Sequence, residues 1–486
     1  MPYYKSQELI QGIVNECHAQ FSRLPKHGKP AKKSNGQAEW TILAGIVLVT
    51  PADLNSGSNI GGSSESTSQP KESWEVECIS LATGSKCLPL GKLSPRGDLL
   101  NDCHAEVLAR RGFNSQAPCG DATTGSLAQI QTAESKNVFL SGQQGQTLKA
   151  EAPVHWLEND KCHDQVSPTA APKRRRASEE HQTLDLPVSK QPKLEALMFD
   201  SKECGHALDF RRGRIDYDSV GVLRTKPGRV DSEPTASMSC SDKIARWNVL
   251  GLTSALVIPF LLKPIYLHSI TTRELFDLSA LERALYKRIQ HCGSCINSLA
   301  APNIPENPKG SCEEFPYQPH RIKIYESTEA FEFSKEAIAA KVEQDANVKP
   351  PIPCPSSISW IASEPSITEV LVNGCKAGAS SKQPIQLKSR SRLCKISMYE
   401  TSVALWQSLS AFGLGYSNNT KLVQRMIDLN IADERALESD NVTYRQWKAL
   451  ANDYSTAKER LFQGVFRNWI RYDKTLEMFD VKDKWL

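Results

Sequence analysis

The amino-acid sequence predicts an α/β protein, with a mixed sheet flanked by helices. Two apolar segments of strand length, 40–50 and 74–83, are rich in β-branched residues. A third segment, 274–289, repeats its leucines at the spacing of an amphipathic helix, and the C-terminal part of the chain is mostly helical in pattern. These segments favour a sheet covered by helices and followed by a helical extension.

The segments between these elements indicate one interrupted domain, residues 1–486. Residues 55–73 are rich in Ser, Gly and Asn and predict a flexible loop insertion between neighbouring strands. Residues 136–193 are rich in Gln, Ser, Pro and charge and predict a disordered insertion. Asn101 or Asp102 is placed to cap a helix. The other expected elements are an ordered segment at 216–225, a helix after Ser241 and Asp242, two strands within 359–372, and helices within 399–412 and 444–469.

Composition excludes several classes of protein. The 486 residues carry 59 Lys and Arg against 55 Asp and Glu, so a net charge of +4 excludes a purely electrostatic nucleic-acid binder. The mean hydropathy is −0.42 and no apolar run reaches membrane-spanning length. Fourteen cysteines without a secretory signal indicate reduced thiols or metal ligands in an intracellular protein.

A basic cluster lies within the segment expected to be disordered. It consists of Lys173, Arg174, Arg175 and Arg176. Such a cluster is typical of a nuclear import signal or a nucleic-acid contact, although a solvated tail would have the same composition. We therefore expect the protein in the nucleus, the cytoplasm or both.

Three short segments together predict a catalytic metal site. They contain His104 with Glu106, Cys119 after a proline, and Cys240 at a helix start. One imidazole and two thiolates form the protein part of a tetrahedral Zn²⁺ site whose fourth position stays open for water. Zinc lowers the pKa of such a water, and Glu106 is placed to transfer its proton. His-x-Glu followed by Pro-Cys is the signature of zinc deaminases, which attack C4 of cytosine or C6 of adenine.

The specificity of this signature comes from the combination. His-Ala-Glu alone is more often a helix cap or surface sequence, and the alternative for the whole set is two buried thiols with an unrelated histidine. All three segments lie at predicted helix starts, where thiolates are favoured, and this supports metal ligation. Cys240 follows Cys119 by 121 residues, unlike the compact Pro-Cys-x-x-Cys of cytidine deaminases.

These motifs resemble those of the RNA-specific adenosine deaminases. Residues 100–111, 119–122 and 238–251 are similar to the three deaminase motifs of that family, and shorter matches extend the resemblance from about residue 40 to residue 469. The resemblance implies a cytidine-deaminase-like fold, Zn²⁺ held by His104, Cys119 and Cys240, and Glu106 as the catalytic residue.

Within this family the chain most resembles the tRNA-specific branch. Only about 40 residues precede the first predicted strand, too few for a double-stranded-RNA-binding domain, and residues 21–29 (FSRLPKHGK) are similar to that branch. The resemblance implies a hydrolase that converts adenosine to inosine 3′ of the anticodon of alanine tRNA, without a membrane or an obligate protein partner. Two alternatives remain: editing of double-stranded RNA, and a non-catalytic RNA-binding relative whose zinc is structural.

Basic residues on predicted buried helices suggest a second bound group, because burying so much unpaired positive charge is unfavourable. In the family, inositol hexakisphosphate fills such a core. Exposed helix faces are the alternative, above all for Lys448 and Lys458, but the spacing of these lysines with two tyrosines favours a ligand site. The matching positions are Asn101, Arg110, Arg111, Lys243, Arg246, Trp247, Lys395, Tyr444, Lys448, Tyr454, Lys458 and Trp469.

Two further features concern the substrate and the integrity of the fold. Arg224 and Lys226 are candidates for contacts to RNA phosphates.

His104 and Cys119 are only 15 residues apart, whereas family members place a central strand between these motifs. We therefore expect most of that strand to be missing, through either an incomplete gene sequence or a natural variant, which makes activity of this chain doubtful.

Overall fold

An eight-stranded mixed sheet lies at the centre of the fold. The computed structural model describes residues 7–51, 74–116, 137–142, 210–213, 221–227, 232–261, 263–290, 317–342, 349–379, 385–411 and 442–481. They all belong to one contact unit, made of residues 1–152 and 208–486. The strands are β1 Glu39–Trp40, β2 Leu43–Pro51, β3 Trp74–Thr83, β4 Ser85–Cys87, β5 Asp102–His104, β6 Asn137–Gly142, β7 Phe210–Arg212, β8 Leu223–Thr225, β9 Leu267–Thr272, β10 Lys323–Glu326, β11 Ile352–Pro353, β12 Ser357–Ile361, β13 Thr368–Val372 and β14 Cys375–Lys376.

The sheet has the order β10-β9-β6-β2-β3-β12-β13-β14. The strands from β6 to β14 pair antiparallel, whereas β9 runs parallel to both β6 and β10. The described helices are α1 Gln7–Arg23, α2 Ala105–Ser115, α3 Cys240–Leu250, α4 Leu278–Glu282, α5 Lys335–Val342, α6 Lys395–Ala411, α7 Tyr444–Ala449 and α8 Asn452–Gln463. This confirms the expected mixed sheet flanked by helices.

The two apolar segments chosen as strands are adjacent in the sheet. Strands β2 and β3 pair antiparallel from Leu43 opposite Thr83 to Pro51 opposite Trp74, so residues 52–73 connect direct neighbours as predicted. The two strands expected within 359–372 are β12 and β13, which also pair antiparallel. Residues 52–73 themselves lie outside the described part of the chain.

The expected gap in the centre of the sheet is filled by β6, so the prediction that the sheet lacks a central strand was wrong. Strand β6 lies between β2 and β9, but it comes from residues after Cys119 instead of residues before it. Without β6, the inner edges of β2 and β9 would leave backbone groups unpaired in the interior. The sequence Asn-Val-Phe-Leu supplies the β-branched and aromatic residues that such a position favours.

Strand β6 also shortens the segment for which disorder was expected. Residues 137–142 form this strand, so that part of the prediction for 136–193 was wrong. Residues 143–193, including the basic cluster at 173–176, lie outside the described residues.

Helix α1 covers one face of the sheet and has no counterpart among the sequence predictions. Its apolar residues recur at helical spacing, and Ile13, Cys17 and Phe21 pack against Val47 of β2 and Leu81 of β3. That spacing, visible in the sequence, was sufficient to predict the helix.

Helices α2 and α3 pack in a second core cluster with other residues of the sheet. Leu108 and Phe113 of α2 and Trp247 of α3 are buried there with Ile46 of β2 and Ile79 of β3. The two faces of the sheet are thus both covered, and the chemistry-bearing motifs lie on the α2 side.

The predicted helices differ from the observed ones at their ends. Within 274–289 the helix begins only at Leu278, because the Asp277 side chain caps it by accepting a hydrogen bond from the Ala280 N–H at 3.0 Å. A π-helical turn, Arg283–Lys287, follows the helix. The segment 444–469 is two helices, α7 and α8, and α6 covers the segment predicted at 399–412 up to Ala411. In the described part of the chain no helix is long and apolar enough to span a bilayer.

Gly112 allows α2 to approach the sheet closely. A Cβ added at Gly112 would lie 2.2 Å from Ser80 Oγ and 2.8 Å from Ile361 Cγ2, whereas one added at Gly12 of α1 would meet nothing within 4 Å. We expect Gly112→Ala to lower the free energy of unfolding by about 1–3 kcal/mol through overpacking. Gly12→Ala should raise it by roughly 0.5–1 kcal/mol through helix propensity. Urea denaturation of both variants measures this, and equal stabilities would contradict the close packing.

Candidate active site

The first candidate ligand lies where a short strand passes directly into α2. Strand β5 pairs with β4, placing His104 opposite Ser85, and α2 begins at the next residue. The expected capping of this helix by Asn101 or Asp102 was wrong, because His104 itself is the N-cap residue. Asp102 instead accepts hydrogen bonds from the His104 backbone N–H at 3.0 Å and from Nδ1 at 2.7 Å.

This contact orients the imidazole. A carboxylate bonded to one ring nitrogen fixes the ring and its tautomer, so that Nε2 keeps its lone pair for a ligand. His104 is only 5% exposed, which restricts the ring further. The arrangement is the one that metal-ligating histidines usually have.

A buried ammonium group joins this histidine to the expected catalytic carboxylate. Lys243 of α3 places Nζ 2.8 Å from Asp102 Oδ2 and 3.2 Å from Glu106 Oε1. Burial by itself raises the pKa of Glu106, but the electrostatic effects of Lys243 and, second, of His104 outweigh it and hold this pKa below its ordinary value. Glu106 is therefore a carboxylate, ready to accept a proton.

The second candidate ligand, Cys240, begins α3. Ser239 caps this helix by accepting a hydrogen bond from the Asp242 N–H at 3.1 Å. Burial, followed by the nearby Glu106 carboxylate, raises the pKa of the Cys240 thiol to about 12. A bound metal cation would reverse this, because it favours the thiolate.

The start of α3 is held by an ion pair that sequence reasoning missed. Asp242 is fully buried and accepts from Arg288 Nη1 at 2.6 Å and from Ser239 Oγ at 2.7 Å. Arg288 also donates from Nε to the Ala284 carbonyl at 2.6 Å. The sequence indicated Asp242 only as part of a helix start, and nothing in it pointed to a partner 46 residues later.

Two of the three expected zinc ligands, His104 and Cys240, lie in the described part of the chain. Glu106 is electrostatically coupled to both His104 and Cys240, so these three side chains share one buried region. Cys119, the expected third ligand, lies outside the described residues. Within the described ranges no group of three His, Cys, Asp or Glu side chains forms a metal site by itself. An oriented imidazole and a buried thiol beside a carboxylate suit zinc, so the residues present fit the metal.

The expected polyphosphate ligands form a cluster of cations between the C-terminal helices and α2 and α3. Burial, together with neighbouring cations, lowers the pKa of Arg110 to about 10, that of Lys395 to about 8 and that of Lys458 to about 7. Lys448 differs because Glu477 accepts two bonds from it, at 2.7 and 2.8 Å. The cluster therefore contains more positive charge than its acid can balance.

Buried donors in this cluster have no hydrogen-bond acceptor. They are Arg110 Nε, Arg246 Nε and Trp247 Nε1. The Arg246 guanidinium lies 4.6 Å from the centre of the Trp469 ring, and that of Arg110 lies 5.1 Å from the Trp247 ring. Unsatisfied buried donors carry a desolvation cost that a polyanion would relieve, so these residues fit such a group.

The other predicted polyphosphate ligands lie on several different elements. Tyr444 and Tyr454 are buried in α7 and α8, and Arg111 donates from Nε to the Leu393 carbonyl. Asn101 directly precedes β5. Lys243, also predicted as a polyphosphate ligand, is instead engaged by Asp102 and Glu106.

The two predicted phosphate contacts are buried. Arg224 is 2% exposed and donates from Nη1 to the Gly213 carbonyl at 3.1 Å. Lys226 is 9% exposed, and its charge offsets part of the rise in the pKa of the Cys240 thiol. In this conformation neither residue presents its charge at the surface, so contact with RNA phosphates stays a prediction.

Comparison with known proteins identifies the family. The model of the adenosine-deaminase (editase) domain matches residues 80–115 and 113–473. The chain belongs to the adenosine-deaminase (editase) family. The match is divided at residues 113–115, just where the connection between the His-Ala-Glu and Pro-Cys motifs is short. The expectation of a family of deaminating hydrolases is confirmed.

Relatives extend this similarity over nearly the whole chain. The human protein named "tRNA-specific adenosine deaminase 1" is 28% identical over 94% of this chain and 97% of its own length. Its Drosophila melanogaster namesake is 28% identical over 97% of this chain and 96% of its own length. The rat "Double-stranded RNA-specific adenosine deaminase" is 32% identical over 51% of this chain and 20% of its own length.

The Arg288–Asp242 pair should contribute strongly to stability in this member of the editase family. We expect Arg288→Ala to lower the free energy of unfolding by about 3–5 kcal/mol, because it leaves a buried carboxylate without its charge partner. Arg321→Ala, at an exposed arginine 3.9 Å from Glu282, is the control and should change it by less than about 1 kcal/mol. Chemical denaturation tests both variants, and similar small losses would contradict the role of the pair.

Proposed function

We propose that the protein hydrolytically deaminates adenosine to inosine in tRNA, at the adenosine 3′ of the anticodon of alanine tRNA. The observation that carries this proposal is the oriented His104, the ionised Glu106 and the buried Cys240, brought together in a chain of the editase family. The relatives named for activity on tRNA align over nearly their full length. The relative named for double-stranded RNA aligns over only 20% of its length.

His104, Cys119 and Cys240 would hold a zinc ion. Zinc at this position would supply a water molecule of lowered pKa. Asp102 fixes the His104 ring through Nδ1, and the Ser239 cap and the Arg288–Asp242 pair fix the first turn that carries Cys240. The protein thus positions its ligands through hydrogen bonds formed outside the metal site.

Glu106 would move the protons of the reaction. It begins as a carboxylate because Lys243 and His104 stabilise the charge. It accepts a proton from the attacking water as the oxygen adds to C6 of adenine, and delivers that proton to the ring nitrogen. Glu106 then transfers the proton of the new C6 hydroxyl to the amino group, so that the C6–N bond breaks, ammonia leaves, and the base becomes hypoxanthine with a C6 carbonyl.

We also propose that inositol hexakisphosphate is bound by the cationic cluster. Arg110, Arg246, Trp247, Lys395 and Lys458 would donate to its phosphates, and the donors that lack acceptors support this. Such a group would add the negative charge that Glu477 alone does not supply, and would join α2 and α3 to the C-terminal helices.

The cluster predicts an unusual dependence of stability on pH. In folded protein stripped of polyanion, the pKa of Lys458 is about 7 and that of Lys395 is about 8. In the unfolded chain both lysines have the ordinary lysine pKa of about 10.4. Because the unfolded chain then binds more protons, stability should rise as the pH increases from about 7 towards 10. Inositol hexakisphosphate should raise both pKa values and remove this rise.

Thermal unfolding at pH 7 and pH 9, with and without inositol hexakisphosphate, measures this effect. Lys458→Met should reduce the rise in stripped protein, whereas Lys388→Met, at an exposed lysine, should leave it unchanged. A stripped protein whose stability is independent of pH would contradict the unbalanced cluster.

The activity itself is tested by incubating the zinc-loaded protein with alanine tRNA and with a long RNA duplex, and reading inosine by sequencing. We expect inosine in the tRNA next to the anticodon. Glu106→Gln should lower the rate at least about 100-fold with zinc still bound, because the proton carrier is lost. Glu326→Gln, at an exposed glutamate of β10, is the control and should retain full rate.

Two other outcomes decide between the alternatives. Inosine in the duplex but not in the tRNA would assign the chain to editing of double-stranded RNA. A zinc-bound protein that forms inosine in neither RNA would be a non-catalytic relative.

A further inference from the structure

A run of basic residues follows α1 and has no role in the site described above. No Asp or Glu lies between Glu16 and Glu39, and residues 26–38 carry four lysines, Lys26, Lys29, Lys32 and Lys33. This segment, here named the basic hairpin, folds back on itself before entering β1. A run of lysines is usually only a solvated surface, so a binding role requires evidence from the structure of the segment.

The basic hairpin is held by backbone contacts. The Lys29 N–H donates to the Lys26 carbonyl at 3.1 Å, that of Lys33 to Gln37 at 2.9 Å, and that of Glu39 to Ala31 at 3.1 Å. Its first turn is fixed against the sheet at Gly28, which has a φ of +85°, and an added Cβ there would lie 2.6 Å from Val370 Cγ1. The basic hairpin is therefore an ordered part of the fold that packs against β13.

Two of its four lysine side chains are exposed without an acidic partner in the described part of the chain, whereas Lys29 is half-buried and donates to the Ser22 carbonyl at 3.2 Å. Lys26 and Lys32 are exposed, and among the described residues neither has an acidic partner within ion-pair distance. Lys33 lies 3.6 Å from Glu39, a longer contact than a hydrogen bond. The exposed Lys349 adds a further charge, because Gln37 Nε2 donates to the carbonyl of the following residue, Pro350, at 2.8 Å.

The basic hairpin and the active site lie at the same end of the sheet. The hairpin leads through β1 into Leu43, which begins β2 opposite Thr83. Two residues after Thr83, Ser85 pairs with His104. The end of the sheet that carries the ligand histidine therefore also carries the hairpin.

Side-chain contacts of residues 354–357 connect the hairpin to the residue before His104. Cys354 Sγ lies 3.9 Å from the Gly28 carbonyl, and Ser357 Oγ donates to the Cys103 carbonyl at 3.2 Å. Cys354 and Ser357 are three residues apart, which spans at most about 10 Å of extended chain. Cys103 directly precedes His104, so only a short path separates the hairpin from the metal site.

We propose that the basic hairpin binds the phosphate backbone of the RNA substrate beside the active site. This inference rests on the proposed function and identifies the surface that positions its substrate. Phosphate contacts fix the register of a nucleic acid without reading its sequence. Because the hairpin is already ordered, little conformational entropy is lost when RNA binds. The exposed lysines of the hairpin, unlike the buried Arg224 and Lys226, present their charge at the surface.

The test compares two variants that remove the same charge. Lys26→Ala/Lys32→Ala removes the two exposed lysines of the hairpin. Lys287→Ala/Lys323→Ala removes two lysines near β10, the opposite edge strand of the sheet. Both are assayed for binding to alanine tRNA over a range of salt concentrations, for deamination, and for thermal stability as a control for folding.

We expect the hairpin variant to weaken tRNA binding and raise KM about tenfold, with kcat unchanged at saturating tRNA. The slope of log K against log salt should fall by about 1.5, because two phosphate contacts are lost. Lys26→Arg/Lys32→Arg should restore binding, and the control should behave as the wild type. An unchanged affinity and slope in a folded hairpin variant would overturn the proposal.

The outcomes separate this inference from the proposed function. Wild-type protein that forms inosine in tRNA, together with an unaffected hairpin variant, removes only the role of the hairpin. Wild-type protein that binds tRNA through the hairpin but forms no inosine removes only the deaminase proposal. Unchanged RNA affinity with lost binding to phosphatidylserine vesicles would assign the hairpin to a membrane surface and overturn RNA contact.

Discussion

The ammonium of Lys243 lies between Asp102 and Glu106, and the active site depends on this contact. It connects α3, which begins with Cys240, to β5 and α2, which carry His104 and Glu106. In the buried region each of these charges would be unfavourable alone, and the set is stable because each carboxylate has a partner. The same contact keeps Glu106 ionised and holds Asp102 where it orients the imidazole.

Around this centre the fold separates two kinds of charge. Near the ligands, cations and carboxylates are matched, as in Lys243 with Asp102 and Arg288 with Asp242. Between α2, α3 and the C-terminal helices, cations outnumber acids, and buried donors lack acceptors. Each carboxylate near the candidate zinc ligands thus contacts a cation, whereas the second region contains positive charge and buried donors that an anion would balance.

The short connection after α2 illustrates how tertiary structure compensates for local sequence. The spacing of the two motifs predicted no strand between them, and the described residues there, 105–116, form α2 and its C-cap. It did not indicate that β6 would fill the gap from residues 137–142, because strand pairing depends on the open edges of β2 and β9 and not on chain order. The family match divides at the same place, which agrees with an altered connection.

The sequence by itself indicated the fold class, the family and the candidate site residues, since these follow from apolar periodicity and from short motifs that are each local in the chain. Only the tertiary structure decided that Asp102 orients His104 instead of capping the helix, that Lys243 contacts the candidate catalytic carboxylate of Glu106, and that Arg288 supports α3. Each of these contacts joins residues whose local sequence is compatible with several partners, and burial selects one of them because an unpaired charge is costly in the interior.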